Sequence, residues 1–211
     1  MTALEEISLA VENGQHKLIA GLIDKAVEDG YSAKQILDDG LLAGMTVIGD
    51  KFTKNEVFIP EVLIAARAMN KGTEKIKPLL DDGSNEVAGK AVIGTVEGDM
   101  HDIGKNLVKL MLESRKFEVE DLGSDVKSET FVEAAIENDA DIILCSALLS
   151  STMPRMKEVI DLCEEKGIRD KVKIMVGGAP VNAQFAEEIG ADAYTEDANE
   201  AAVKALQLMG K

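Results

Sequence analysis

The first eighty residues carry apolar side chains three and four positions apart, which is the spacing of amphipathic helices. Two capping boxes, Thr2 with Glu5 and Ser32 with Gln35, each precede such a run. Pro60 suits the first turn of a further helix. The pattern predicts four helices with short connections and therefore an all-α four-helix bundle over residues 1–80.

The pattern changes between Pro78 and Gly89. The segment LLDDGSNEVAG is polar, contains glycine and has no helical or strand period. Such a composition predicts a linker, which we place at residues 81–88.

Beyond the linker, short apolar runs alternate with helical patterns. The runs are AVIGTV (91–96), FEVEDL (117–122), DIILCSAL (141–148), KVKIMVGG (171–178) and a weaker ADAYTE (191–196). Continuous apolar strands that alternate with helices predict a parallel sheet covered on both faces. Residues 89–211 are therefore predicted to form an α/β doubly wound, flavodoxin-like domain with a five-stranded parallel sheet.

The strand order cannot be derived from the pattern, but 2-1-3-4-5 is the common choice for five such units. That order makes the loops after strands one, three and four neighbours. Ligands of doubly wound sheets bind beyond the carboxyl ends of the strands, so these loops are the candidate site.

Composition narrows the function. Lys and Arg number 23 against 39 Asp and Glu, giving a net charge of −16, and a chain so acidic is not expected to bind nucleic acid. No apolar run approaches the length of a membrane helix, so no membrane association is expected. Two cysteines, Cys145 and Cys163, do not make a disulfide framework and favour a reducing, cytoplasmic location.

The loop after the first strand contains His101, one of only two histidines, with Asp99 two residues earlier. A carboxylate that accepts the N–H of one ring nitrogen would fix the tautomer and leave the other nitrogen for a metal. Neither a second histidine nor a CxxC pair stands near, which disfavours zinc. One histidine suits a metal whose other ligands come from a cofactor ring, but the pair is also compatible with an ordinary surface loop.

Two further strand ends carry candidate residues, and each has an ordinary structural explanation. Ser146 and Ser150 follow the third strand and are compatible with hydroxyls that satisfy the local backbone. Gly177 and Gly178 end the fourth strand, where glycines permit either a simple strand end or close approach of a ligand. The segment GTVEGDMHDIG lacks the G-x-G-x-x-G spacing of a dinucleotide fingerprint.

Taken together, DMHDIG, SAL and GG resemble the cobalamin-binding signature D-x-H-x-x-G…S-x-L…G-G. The upstream segment GMTVIGDKFTKNEVFIPEVLIAARAM (44–69) is similar to the helical cap of cobalamin-dependent methionine synthase and of corrinoid proteins of methyltransferase systems. The resemblance covers nearly the whole chain and implies a cobalamin or related corrinoid as cofactor.

The resemblance also implies roles for particular residues. His101 would be the lower axial ligand of cobalt, and Asp99 and Ser150 would form a proton relay to it. Other residues would contact the cofactor or its nucleotide tail: Gly104, Ser146, Leu148, Gly177 and Gly178. In the cap, Phe52 and Ile59 would shield the upper face, although bundle packing is the more common role of any Phe or Ile.

The function implied is that of a methyl carrier without a complete active site of its own. A substrate-specific methyltransferase would load the methyl group onto cobalt(I), and a second would remove it from methyl-cobalt(III). The resemblance also implies a reductive activator as a third partner. The donor (methanol, methylamine, betaine, thiol or methoxyarene) and the acceptor (tetrahydrofolate or coenzyme M) stay open, and the context implied is anaerobic one-carbon metabolism.

Three other classes resemble the chain. Cobalamin-sensing regulators share the cap but usually add a basic DNA-reading module and often a cap Trp, whereas this chain has no Trp. Small subunits of adenosylcobalamin mutases share D-x-H-x-x-G but generally lack the helical module. A sheet domain that has lost its cofactor is disfavoured by the retention of Asp99, His101, Ser146 and both glycines.

Overall fold

The computed structural model describes residues 1–80 and 87–210. It divides into two compact units, Met1–Glu86 and Val87–Lys211. Most of the predicted linker, residues 81–86, lies outside the described residues.

The first unit is helical. Its elements are α1 (Ala3–Glu12), α2 (Ile19–Glu28), α3 (Ala33–Gln35), a π-helical segment (Ile36–Leu42), α4 (Ala43–Thr53), α5 (Ile59–Ile76) and a 3₁₀ turn (Lys77–Leu79). Because α3, the π-helical segment and α4 follow one another without a break, they form the one helix whose start is predicted by the capping box of Ser32 with Gln35.

The helix starts agree with the capping residues in the sequence. The Thr2 and Ser32 side chains accept the backbone N–H groups of Glu5 and Gln35 in reciprocal capping boxes. Helix α5 has Pro60 in its first turn, as predicted, and the Glu61 carboxylate accepts the N–H of Phe58. Each contact satisfies a backbone donor that has no partner inside its helix.

Two helices of this bundle approach each other closely. A Cβ on Gly44 would lie 2.6 Å from the carbonyl oxygen of Ser8, so α4 can cross α1 here only with glycine. Around this crossing the two helices bury Ile7, Val11, Met45 and Ile48. The core of the unit therefore forms from the apolar faces predicted by the helical spacing.

The second unit alternates strands and helices. Its strands are β1 (Gly89–Thr95), β2 (Phe117–Asp121), β3 (Ile142–Ser146), β4 (Lys173–Gly177) and β5 (Ala193–Tyr194), and its helices are α6 (Ile103–Glu113), α7 (Ser128–Glu137), α8 (Pro154–Glu165), α9 (Ala183–Ile189) and α10 (Ala198–Leu208). All strand pairs are parallel, and the order is β2-β1-β3-β4-β5. The predicted doubly wound fold and its strand order are confirmed.

Strand register places three predicted segments side by side. Thr95 at the end of β1 is paired with Ser146 at the end of β3, and Ser146 is paired with Gly177 at the end of β4. The loops that follow these three residues therefore leave the same edge of the sheet at adjacent points.

None of the helices in the described part of the chain has the length and apolar character needed to span a bilayer.

Candidate cofactor site

Asp99 is the centre of the site although its side chain is fully buried. Its Oδ1 accepts the backbone N–H of His101 at 3.1 Å and the ring Nδ1–H of the same residue at 2.7 Å. Its Oδ2 accepts the N–H groups of Leu148 at 2.7 Å and Leu149 at 3.0 Å. One carboxylate thus ties the loop after β1 to the loop after β3.

These hydrogen bonds keep Asp99 ionised. Burial by itself would raise the pKa of the carboxyl group. The hydrogen bonds from the His101 ring and backbone and from the Leu148 and Leu149 amides outweigh burial and hold the pKa well below its usual range. A buried carboxylate is tolerated here because several donors replace its lost hydration.

The Asp99 contact determines which ring nitrogen of His101 is available. An ionised carboxylate only accepts hydrogen bonds, so Nδ1 carries the proton and, in the neutral ring, Nε2 carries the lone pair. The His101 side chain is 53% exposed. The loop therefore presents one imidazole nitrogen outward with its tautomer fixed, which is the arrangement of a metal ligand supported by a carboxylate.

The hydroxyl that reaches Asp99 in the structure belongs to Thr152, two residues beyond the predicted Ser150. Thr152 is buried, and its Oγ1 lies 3.1 Å from Asp99 Oδ2 and 2.8 Å from the Leu149 carbonyl oxygen. Ser150 is exposed in the same turn. The turn after β3 directs residue 152, and not residue 150, back toward the carboxylate.

Asp125, in the loop between β2 and α7, supports the His101 loop from the other side. Its Oδ1 accepts the N–H of Gly98 at 2.7 Å, and its own N–H donates to the backbone carbonyl of Asp99 at 2.9 Å. The Gly98–Asp99 stretch is thus held at both ends by one residue.

Both predicted glycines of β4 lie at this edge, but they differ. Gly178 has a φ of +127°, and a Cβ there would overlap the carbonyl oxygen of Ala147. The nearest atom to a Cβ on Gly177 would be the Thr195 carbonyl oxygen at 3.9 Å. Gly178 is therefore required by the fold, whereas Gly177 leaves free space at the edge. Gly104, in the first turn of α6, is also open, with no atom within 4 Å.

Apolar side chains around His101 are exposed. Met100 and Ile103 are 69% and 70% exposed, and Leu148 and Leu149 are 44% and 40% exposed. Ser146 is half-buried beside them. An apolar surface around a single outward imidazole suits a large, mostly apolar ring that carries its own metal.

In the helical unit, Phe52 is half-buried near the end of α4 and Ile59 is 37% exposed at the start of α5. The unit's own packing therefore leaves part of each side chain uncovered.

The Thr152 contact gives a testable prediction. Thr152→Val keeps the shape of the side chain but removes its donor, so we expect the amides of Leu148 and Leu149 to exchange with solvent about fivefold faster. The matched control is Ser150→Ala, which should leave both rates unchanged. Exchange measured by NMR on the cofactor-free protein decides the point, and an equal effect of the two variants would restore Ser150 as a candidate.

Comparison with known families accounts for both units. Residues 3–77 match a model described as a B12 binding domain, and residues 89–205 match a second model with the same description. The fold and site thus define a two-unit B12-binding protein. The chain belongs to the family of B12-binding corrinoid proteins of methyltransferase systems, as the relatives below show.

Curated relatives match along nearly the whole length. Dimethylamine corrinoid protein 1 of Methanosarcina acetivorans is 44% identical over 98% of this chain and 97% of its own. The dimethylamine corrinoid protein of Methanosarcina barkeri is also 44% identical with the same coverage. A corrinoid protein of Desulfitobacterium hafniense is 40% identical over 100% of this chain and 99% of its own.

Solved structures agree with these relatives. The methanol:cobalamin methyltransferase complex MtaBC of Methanosarcina barkeri contains a chain with a TM-score of 0.87 and 31% identity, covering 99% of this chain and 80% of that one. The monomethylamine corrinoid protein of Methanosarcina barkeri has 38% identity and a TM-score of 0.56, covering 98% of each chain. The predictions of family and of a B12-type cofactor are confirmed.

Proposed function

We propose that this protein is a methyl carrier that is loaded by a substrate-specific methyltransferase and unloaded by a second methyltransferase acting on tetrahydrofolate or coenzyme M. The observation that carries the proposal is the exposed imidazole of His101, whose ring is fixed by a buried, ionised Asp99. The corrinoid would supply the cobalt atom that accepts and donates the methyl group.

The chain's own residues would bind and orient the cofactor. His101 would hold the cobalt of the cofactor, and Asp99 would fix the tautomer of the imidazole and raise its basicity through the Nδ1–H bond. Thr152 would supply the hydroxyl group of a proton relay that continues through Asp99 to His101. Exposed Met100, Ile103 and Leu148 would exclude water around the ligand.

Small residues at the sheet edge would leave room for the nucleotide tail. Gly104 and Gly177 have open space where a side chain would stand. Ser146 lies between the ends of β1 and β4, where its hydroxyl would contact the displaced base. Gly178 would act indirectly, by allowing the chain after β4 to approach Ala147.

Cofactor uptake tests the proposal. When the cofactor-free protein is titrated with aquacobalamin, it should bind one equivalent. The bound cofactor should show the absorption spectrum expected when a protein nitrogen has displaced its own base. Absence of uptake at micromolar cofactor would contradict the proposal.

Phe52 and Ile59 would shield the upper face of the ring. Loaded with methylcobalamin, the Phe52→Ala variant should lose its methyl group under light severalfold faster than the unmodified protein, because solvent and oxygen reach the bond more easily. The matched control is Leu79→Ala, because Leu79 is an exposed apolar residue that is not one of the two proposed shielding residues. Equal photolysis rates, followed by absorbance, would assign Phe52 to bundle packing alone.

A methylated amine is the donor class that the relatives favour. Among the solved structures named above, the monomethylamine corrinoid protein has higher identity than the methanol complex, 38% against 31%. Methyl transfer to the cobalt(I)-loaded protein, assayed with dimethylamine, monomethylamine and methanol methyltransferases, should be fastest with an amine enzyme. Faster loading by the methanol enzyme would contradict this assignment. A reductive activator should also be needed to sustain turnover.

A further inference from the structure

The structure assigns Thr95 as a positioning residue for the axial ligand, an inference that rests on the proposed function. Thr95 is the last residue of β1 and is fully buried. Its Oγ1 donates to the backbone carbonyl of His101 at 2.9 Å, across the loop that carries the imidazole.

With this bond, His101 is held at three points. Asp99 Oδ1 accepts its backbone N–H and its ring Nδ1–H, and Thr95 fixes its carbonyl oxygen. Both peptide groups that flank the Cα of His101 are therefore fixed, which sets the direction in which the side chain leaves the backbone. Asp99 alone would fix the N-terminal peptide and the ring but would make no contact with the His101 carbonyl.

Thr95 is itself rigidly placed. Its N–H donates to the Gly123 carbonyl at 3.0 Å, and its carbonyl accepts the N–H of Val126 at 3.0 Å. A β-branched side chain on such a backbone has few accessible rotamers, so the hydroxyl is pre-aimed at the His101 carbonyl. Thr95 thus transmits the position of the sheet edge to the ligand loop, at the point where β1 lies beside Ser146.

Two substitutions separate positioning from packing. Thr95→Val retains the buried shape and loses the donor, whereas Thr95→Ser retains the donor and loses a buried methyl group. If Thr95 only fills space, Ser should be the more harmful change. If it positions His101, Val should be the more harmful change and Ser should restore the ligand geometry.

The measurement uses cob(II)inamide, which lacks the dimethylbenzimidazole base, so an axial nitrogen can come only from the protein. Electron paramagnetic resonance of the loaded full-length chain, labelled with ¹⁵N-histidine, resolves a doublet on each cobalt line where the imidazole is bound. We expect Thr95→Val to lower the ratio of His-bound to His-free cobalt about tenfold and Thr95→Ser to keep it near the unmodified value.

A readout without cofactor accompanies it. The His101 amide should exchange with solvent faster in cofactor-free Thr95→Val than in Thr95→Ser, because the loop has lost its C-terminal restraint. An unchanged His-bound ratio in Thr95→Val, or an equal loss in both variants, would overturn the assignment. A doublet missing from the unmodified protein would instead contradict the proposed axial role of His101, so the two failures are distinguishable.

Discussion

The His101→Ala variant is expected to lose the protein-derived axial nitrogen completely. With cob(II)inamide bound, the nitrogen splitting in the electron paramagnetic resonance spectrum should disappear, because the variant lacks the imidazole that Asp99 holds in place. Affinity for the cofactor should fall by at least about tenfold, as expected on removal of a metal ligand or of its direct support.

His16→Ala is a matched control, because the chain has only two histidines and His16 lies in the helical unit. It should retain the splitting and the affinity. Splitting that survives in His101→Ala would show that another nitrogen binds the cobalt and would remove His101 from the site.

The Gly178→Ala variant is expected to lose about 4 kcal/mol of folding free energy or to fail to accumulate in soluble form. Two effects combine: the residue adopts a φ of +127°, and the new Cβ would overlap the carbonyl oxygen of Ala147. Relief requires the chain after β4 to move away from β3, which also moves the loop that donates to Asp99.

Gly177→Ala separates fold from function within the same glycine pair. A Cβ on residue 177 would lie 3.9 Å from its nearest neighbour. The free energy of unfolding of the cofactor-free variant, measured in urea, should therefore be within about 1 kcal/mol of that of the unmodified protein. We expect its cofactor affinity to fall, since the methyl group occupies the space proposed for the tail. Equal unfolding of the two variants would contradict the different roles assigned to the glycines.

Much of the fold could be predicted because local chemistry and global architecture agree. Thr2 and Ser32 mark helix starts by themselves, and the apolar runs of the second unit are strands wherever they are flanked by helical periods. The strand order was a choice by frequency, because the pairing of β1 with both β2 and β3 depends on contacts distant in sequence. The π-helical segment could not be predicted, because the spacing of its apolar residues indicated only a helix.

The side-chain contacts of the site were predictable only where one short motif carries them. Asp99 and His101 stand two residues apart, and their contact follows from that spacing. Ser150, Ser151 and Thr152 are three consecutive hydroxyl residues, and only the path of the turn after β3 decides which one is buried. Thr95 and Asp125 contact backbone groups of the loop. Every residue type carries such groups, so the sequence does not indicate which of them are contacted.

The row formed by Thr95, Ser146 and Gly177 has a consequence for how the protein matures. These residues become neighbours only after three separate βα units have docked in parallel, so no fragment that ends before β4 can assemble the complete edge. If this edge holds the cofactor as proposed, only chains with the complete sheet can bind it. By mass action, a bound corrinoid would stabilise the complete sheet and make its local opening less frequent.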